Sequence, residues 1–324
     1  MLGRFNISEI FIKTVKELYK HAHTQVAVNG MLSKPFKVTR GVRQGDPLLC
    51  TLFNLTIEPL ACRIREDNEL KGYNIPGIEE KIIISLYADD TCLFLSKDDN
   101  LDNLHEILNN WCKASSAKFN IEKTEIMPIG QQEHRRRMTT MWKLNTNENI
   151  PLDNQIKIAD DREAIRLLGA WIGNNTNVTA PWEPVVDKIH RSLTLYSKSH
   201  LTLNRRKTIS QIIIGGYTQF LMKAQGMPPN IEKALIKIER DFIWEENTSL
   251  RIAIDYLYCT VEEGSLNLLD IHTRNEAIKI IWLKDYLNFS STRPTWAKIA
   301  DILIDNIALQ NFCTQARINT FLQS

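Results

Sequence analysis

The chain has 324 residues, 43% of them hydrophobic, and a formal net charge of only +2. That is enough apolar material for about two domains, and too small an excess of positive charge for a protein that binds nucleic acid over its whole surface. The six cysteines (Cys50, Cys62, Cys92, Cys112, Cys259 and Cys313) show neither zinc-site pairs nor a secreted disulfide framework, and no run reaches the ~18–20 apolar residues of a membrane span. A soluble intracellular protein is expected, cytoplasmic or nuclear.

In chain order, Ile10, Ile12, Val15, Leu18 and Tyr19 give residues 7–19 an amphipathic helical pattern, with Glu9 and Glu17 on its solvated face. Residues 25–28 alternate as a strand, Asn29-Gly30 is a strong hairpin turn, and residues 36–39 are the second strand. Residues 41–47 then read Gly-Val-Arg-Gln-Gly-Asp-Pro, followed by Leu49, Phe53, Ile57, Leu60 and Ile64 at the spacing of a helix. Asp46 suits the N-cap and Pro47 the first helical position, which places the helix over 46–66. Gly41 and Gly45 let the preceding backbone come close to a ligand, and Arg43 and Gln44 suit a phosphate or a base edge. A plain capped core helix explains Asp46 and Pro47 equally well, but not the whole string.

Residues 81–95, Lys-Ile-Ile-Ile-Ser-Leu-Tyr-Ala-Asp-Asp-Thr-Cys-Leu-Phe-Leu, set Asp89 and Asp90 between two apolar runs of strand-forming residues. Burying an unpaired carboxylate costs several kcal/mol, so a hairpin lifting two acids to its tip makes sense where they face a hard divalent cation, which seeks oxygen ligands. A solvated Asp-Asp turn is the plainer alternative. Leu101, Leu104, Ile107, Leu108 and Trp111 make the next helix, started by Asp99 or Asn100, and residues 125–129 return as a strand. Helices on one face of an antiparallel sheet define an α+β class.

Periodicity fades over 131–163, a polar stretch that reads as a linker or insertion. After Pro181 the texture is helical: Val185, Ile189 and Leu193 repeat, as do Ile209 and Ile213, and Ile231, Leu235, Ile238 and Phe242 follow Pro228-Pro229. Trp244, Trp282 and Trp296 fall near apolar stripes and are expected in the core. Two local basic clusters, Arg135-Arg136-Arg137 after His134 and Arg205-Arg206-Lys207, have the charge to touch phosphates or to form solvated faces.

Arg43-Gln44-Gly45-Asp46-Pro47 followed by Tyr87-Ala88-Asp89-Asp90 resembles motifs B and C of the reverse transcriptases of non-LTR retrotransposons. Asn120-Ile121-Glu122-Lys123-Thr124 is similar to motif D, and Leu167-Leu168-Gly169-Ala170-Trp171-Ile172-Gly173 to motif E. The resemblance implies a partial right-hand polymerase palm over 1–130, with motif E closing it at 164–178 and a helical thumb with its extension over 179–324. It also implies RNA-directed DNA synthesis by two-metal nucleotidyl transfer, with Mg²⁺ or Mn²⁺, an RNA template, a DNA primer and a dNTP. By residue, it implies a metal role for Asp89 with Asp90 beside it. Gln44 and Gly45 would lie along the nascent base pair with Arg43 near them, Tyr87 near the primer end, and Lys123 near the pyrophosphate.

The chain departs from that pattern in one respect. Asp46 is the first aspartate, preceded only by the acids Glu9 and Glu17, so no motif A aspartate stands before motif B. The residues therefore read as a polymerase fragment shortened at its start, with Mg²⁺ held weakly and polymerisation by this polypeptide alone not expected. The alternative is a non-enzymatic, retroelement-derived remnant that binds RNA or a partner; intact motifs B and C give no sign of such decay. No endonuclease, zinc knuckle or RNase H acid set is read from the sequence.

Overall fold

The computed structural model describes residues 5–38, 41, 45–75, 78, 81–144, 152–244 and 252–311. The chain divides into two compact units, one built from residues up to 74 with 79–120, the other from 75–78 with 121–324. The expected break after residue 130 thus lies about a strand and a turn further along the chain than the division itself.

In the first unit, helix α1 (Glu9–Lys20) begins where the Ser8 hydroxyl accepts from the Phe11 amide, and it buries only Val15. Two short strand pairs follow, one nested inside the other. Strands β2 (Ala27–Val28) and β3 (Met31–Leu32) close around Asn29-Gly30, whose φ values of 47° and 80° are those a tight hairpin turn demands. Strand β4 (Phe36–Lys37) pairs with β1 (His23–Thr24). The Asn-Gly turn was legible, but its immediate partner strand is 31–32, and residues 36–37 reach back to the outer rung.

Helix α2 runs over Leu49–Glu66 and buries Ile57, Leu60, Ala61 and Ile64, the stripe read from the sequence. Its start lies three residues later than predicted, because Asp46 folds its carboxylate onto the Leu48 amide at 2.9 Å and makes a turn of its own ahead of the helix. The second carboxylate oxygen accepts from the Tyr19 hydroxyl at 2.6 Å, which ties this turn to α1. Pro59 lies inside α2 and removes a helical donor. The Trp111 indole N–H donates to the neighbouring Thr56 carbonyl at 3.3 Å.

Strands β5 (Ile84–Tyr87) and β6 (Asp90–Leu93) form the predicted hairpin, with Ile84 opposite Leu93 and Tyr87 opposite Asp90. Ile83, just before β5, is fully buried. Asn100 caps α3 (Leu101–Ser115) by accepting from the Asp102 and Asn103 amides. Asp99 is not the cap. Fully buried, it accepts from the amides of Lys71, Gly72 (3.1 Å) and Ser96 (2.7 Å).

In the second unit, a 3₁₀ turn (Ile121–Lys123) leads into β7 (Glu125–Ile126), which is short and pairs in parallel with β8 (Lys157–Ile158). The polar stretch expected to be a linker therefore holds structure: α4 (Gln132–Met141) and β8 both lie in it. Its lack of periodicity has a physical origin, since α4 buries a single side chain, Met138, and a one-residue contact leaves no stripe in the sequence. Hairpin β9 (Ile165–Leu167) and β10 (Ala170–Ile172) turns through Leu168 and Gly169, at φ 49° and 85°. A Cβ on Gly169 would stand 2.9 Å from the Phe220 ring.

The remaining helices are α5 (Glu183–Ser197), α6 (Leu203–Ser210), α7 (Gly216–Gln225), α8 (Pro229–Trp244), α9 (Ile254–Tyr258), α10 (Ile271–Tyr286) and α11 (Thr295–Asn311). Their core gathers Ile189, Leu193, Ile213, Leu235 and Phe242, periodic positions of the sequence, with Trp182, Ile214, Leu221, Ile271 and others. Among the tryptophans, Trp282 is 39% exposed, donates to the Lys223 carbonyl and meets Trp296 edge to face, so it stands at the margin of the core. The described sheets are all two-stranded, four antiparallel and one parallel, so the class is α+β. Among the described residues no helix is long and apolar enough to cross a membrane.

One buried acid sits in this helical core. A π-helical turn (Gln211–Gly215) joins α6 to α7, and just before it Ser210 donates to Glu239 Oε1 at 2.7 Å. Glu239 is fully buried and its Oε2 has no hydrogen-bond partner, so burial pushes the carboxyl up to about 7, against the pull of Ser210 and Arg274. A carboxyl whose pKa is raised on folding contributes most below its unfolded value, near 4.5, and loses that contribution as pH rises toward 7. Replacing it by the amide, Glu239→Gln, should therefore raise stability by roughly 2–3 kcal/mol above pH 7 and change it little near pH 4. Urea unfolding across that range measures the difference.

Candidate active site

The β5–β6 tip is the centre of the site. Tyr87 and Asp90 form its last paired rung, leaving Ala88 and Asp89 as the whole loop. Two-residue hairpin loops need a positive φ, a conformation that glycine supplies without cost. Here an alanine holds it, at φ 51°. Asp89 and Asp90 are exposed, and Tyr87 is 68% exposed. The apolar base and the charged tip are thus separated along four residue pairs of the ladder.

Around the tip, Gly72 carries the tightest constraint. At φ +62°, it lies where a Cβ would meet the Ile82 carbonyl at 2.7 Å and the Ile83 Cβ at 2.8 Å, so the chain before the hairpin can cross close over its base. The Tyr73 amide donates to that same Ile82 carbonyl, and Tyr73 meets Phe94 edge to face. Cys92, in β6, is half-buried, and burial raises its thiol pKa. Neither Gly72 nor the strained Ala88 was singled out from the sequence. A glycine followed ten residues later by an Ile-Ile-Ile run was the only sign of the first, and nothing marked the second.

In the same unit, Gly41 and Gly45 have φ values of +82° and +84°, with open space where a Cβ would stand. Both therefore need glycine for backbone shape. Arg43 and Gln44 lie outside the described residues. Lys123 is exposed on the 3₁₀ turn that opens the second unit.

The basic clusters divide under inspection. Arg135 forks onto Asp161, Nε to Oδ1 at 2.7 Å and Nη2 to Oδ2 at 2.8 Å, and also donates to the Gly130 carbonyl. The guanidinium holds the Asp161 carboxyl below its usual range. Arg206 is 3% exposed, donates to the Phe242 carbonyl at 2.8 Å and lies over the Phe242 ring. The expectation that Arg135 and Arg206 face phosphates is therefore corrected: both are spent on the protein's own carboxylate and carbonyls. Arg136 and Arg205 are exposed, while Arg137 and Lys207 are partly so. Sequence cannot separate these cases, because a run of arginines reads alike whether a given member points in or out.

Oxygen donors at the tip suit a hard cation in kind, but in number they are half a cage. Among the described residues no three His, Cys, Asp or Glu side chains come together to hold a metal.

In the first unit a strand pair raises Tyr-Ala-Asp-Asp to an exposed turn, and a positive-φ glycine stands ahead of an apolar helix. The chain belongs to the family described as reverse transcriptase (RNA-dependent DNA polymerase), whose model matches residues 2–172. Within that family it is a reverse transcriptase of the non-LTR retrotransposon kind, as its motifs indicated. It is 32% identical over 123 residues to the transposon TX1 uncharacterized 149 kDa protein of Xenopus laevis, covering 38% of this chain and 9% of that protein. It is 24% identical over 198 residues to a retrovirus-related Pol polyprotein from the type-1 retrotransposable element R2 of Popillia japonica, covering 57% of this chain and 25% of the relative. A second R2 polyprotein of that organism matches at 30% over 86 residues, 25% of this chain and 13% of the relative. The chain thus spans a quarter or less of the length of these relatives.

Ala88→Gly should stabilise the first unit by about 1 kcal/mol, the cost of a left-handed alanine. Asp89→Ala, on an exposed tip, should shift stability by less than about 0.5 kcal/mol. Thermal unfolding of the two variants checks both.

Proposed function

We propose that these residues form palm and thumb parts of an RNA-directed DNA polymerase, reading an RNA template, extending a DNA primer and consuming dNTPs. The observation that carries the reading is the exposed acid pair held at the tip of a two-residue hairpin above a buried apolar base. Asp89 and Asp90 would hold Mg²⁺ or Mn²⁺, which in this chemistry lowers the pKa of a hydroxyl nucleophile and neutralises charge on a phosphoryl group. Tyr87, beside the acids and two-thirds exposed, offers an aromatic face to a primer terminus. Gly45, at φ +84° with open space where a Cβ would stand, would let the backbone come close to a nucleotide. Lys123, as a compact ammonium, is suited to the pyrophosphate.

Helices α5 to α8 support a thumb role through their shared core and the exposed cations Arg205 and Lys188, the latter resting over the Tyr217 ring. Arg136 is the exposed cation of α4.

The same donor count sets a limit on these residues taken alone. Phosphoryl transfer depends on charge stabilisation more than on covalent chemistry, and one strand's pair of carboxylates supplies part of the coordination two cations need. Glu9 and Glu17 are exposed on α1, and Glu17 pairs with Lys20. Asp46 is engaged by Tyr19 and by its own turn. A second acid strand is needed for full activity.

Primer extension by the 324 residues on an RNA template with Mg²⁺ or Mn²⁺ is expected to give no product, and calorimetry without nucleic acid is expected to show only weak, millimolar Mg²⁺ binding that Asp89→Asn removes. Incorporation that vanishes on Asp89→Ala would overturn the half-site while upholding the polymerase. Failure to bind an RNA–DNA primer–template at low salt would overturn the polymerase reading.

A further inference from the structure

In the first unit, α2 and α3 pack on one another and leave between them a hollow of about 310 Å³, with Pro59, Leu60, Ile107 and Trp111 on its apolar wall and Asn110 at its edge. That size matches a small ligand pocket. The hollow shares Arg63, Asn103 and Glu106 with a wider depression of about 560 Å³. Five carboxylates line this second part, those of Glu66, Asp67, Glu69, Asp102 and Glu106, against the single guanidinium of Arg63. The two hollows form one groove, apolar at one end and strongly acidic at the other.

Asp102 suits the first turn of α3, but the acids at the end of α2 do not stabilise their helix. Glu66 lies in the last turn of α2 and Asp67 caps it, at the end where the helix dipole is already negative and where cations belong. Arg63 reaches Asp67 only at 3.6 Å, and Asn103 donates to the same carboxylate. Glu66, Asp102 and Glu106 are exposed and have no ion-pair partner among the described residues. Five like charges gathered on one rim repel one another, so an outside cation would offset a standing cost.

Three kinds of occupant, nucleic acid, a metal ion and a peptide, are separated by the geometry. Nucleic acid is repelled by the rim. A metal ion needs carboxylates that converge, and no three acids come together here among the described residues. A peptide with spaced cations matches carboxylates strung along a groove, and its apolar side chain matches the Pro59–Trp111 end.

We propose that the α2–α3 groove docks a peptide segment of a partner protein, placing one large apolar side chain against the half-buried Pro59 and Trp111 and lysine or arginine side chains along Glu66, Asp102 and Glu106. The acidic end steers and registers the segment, and the apolar end anchors it. This surface stands independently of the polymerase reading, since it uses none of the residues at the β5–β6 tip.

The test is fluorescence anisotropy on the full chain with a fluorescein-labelled synthetic peptide that flanks one leucine with arginines. A dissociation constant of order 10 μM is expected, weakening about tenfold in Glu66→Lys/Glu106→Lys and on raising the salt from ~50 to ~500 mM. Asn110→Trp, at an exposed position on the hollow's edge, should weaken binding similarly by filling the apolar end, as should alanine in place of the peptide's leucine. Circular dichroism of the variants confirms the fold. No binding at about 1 mM peptide, equal binding by the charge-reversal variant, or displacement of the peptide by millimolar Ca²⁺ or by an RNA oligonucleotide would each overturn the proposal.

Discussion

The hairpin that carries Tyr87, Asp89 and Asp90 is held from below by a buried carboxylate. Asp99 accepts from the amides of Lys71 and Gly72, which precede β5, and from that of Ser96, which follows β6. Charge-assisted hydrogen bonds to backbone are roughly twice as strong as neutral ones, and a buried acceptor left without them would cost several kcal/mol. The two ends of the hairpin are therefore fastened to one point. Gly72 makes that fastening sterically possible, because any side chain there would strike Ile82 and Ile83. From this base the ladder runs up to a turn with no interior support. Two strands pinned at one end carry the acids to an exposed tip.

The second unit is built on a different logic. Helices α5 to α8 and α10 share one apolar core, into which two polar groups intrude: Glu239 with Ser210, and Arg274 with Thr218 and Asn275. Asn275 continues to Glu232, which also receives His272. This chain of polar contacts crosses from α8 to α10 and fixes their register where apolar side chains alone would allow sliding. The π turn beside Ser210 places one extra residue in the turn between α6 and α7.

Much of this was open to reading from the residues. The acid hairpin, the α2 stripe and the Asn-Gly turn are periodic or stereochemically marked, and periodicity survives wherever an element buries a full face. The reading failed where that condition lapses. Helix α4 buries Met138 alone and was taken for linker. Asp46 looked like a cap because an aspartate before proline usually is one, yet its carboxylate turns to Leu48 and Tyr19 instead. Asp99 and Asn100 were interchangeable on paper, and only burial told the amide-gathering acid from the cap. Arg135 and Arg206 were indistinguishable from their exposed neighbours for the same reason: sequence gives charge, whereas direction comes from packing.

The motif E hairpin illustrates how chemistry and architecture part company. The Trp171 amide and carbonyl are both taken up by the Gln225 side chain, 54 residues away at the end of α7, and Gly169 leaves room for Phe220 of the same helix. By its signature, β9–β10 belongs with the strands that precede it, but its hydrogen bonds belong to the helices that follow. A cut placed after residue 178, where the motifs alone would divide the protein, would strip Trp171 of both hydrogen bonds to Gln225 and remove the Gly169 backbone from against Phe220. Exchange of modules between related elements should be resisted at the boundary that comparison of motifs would choose.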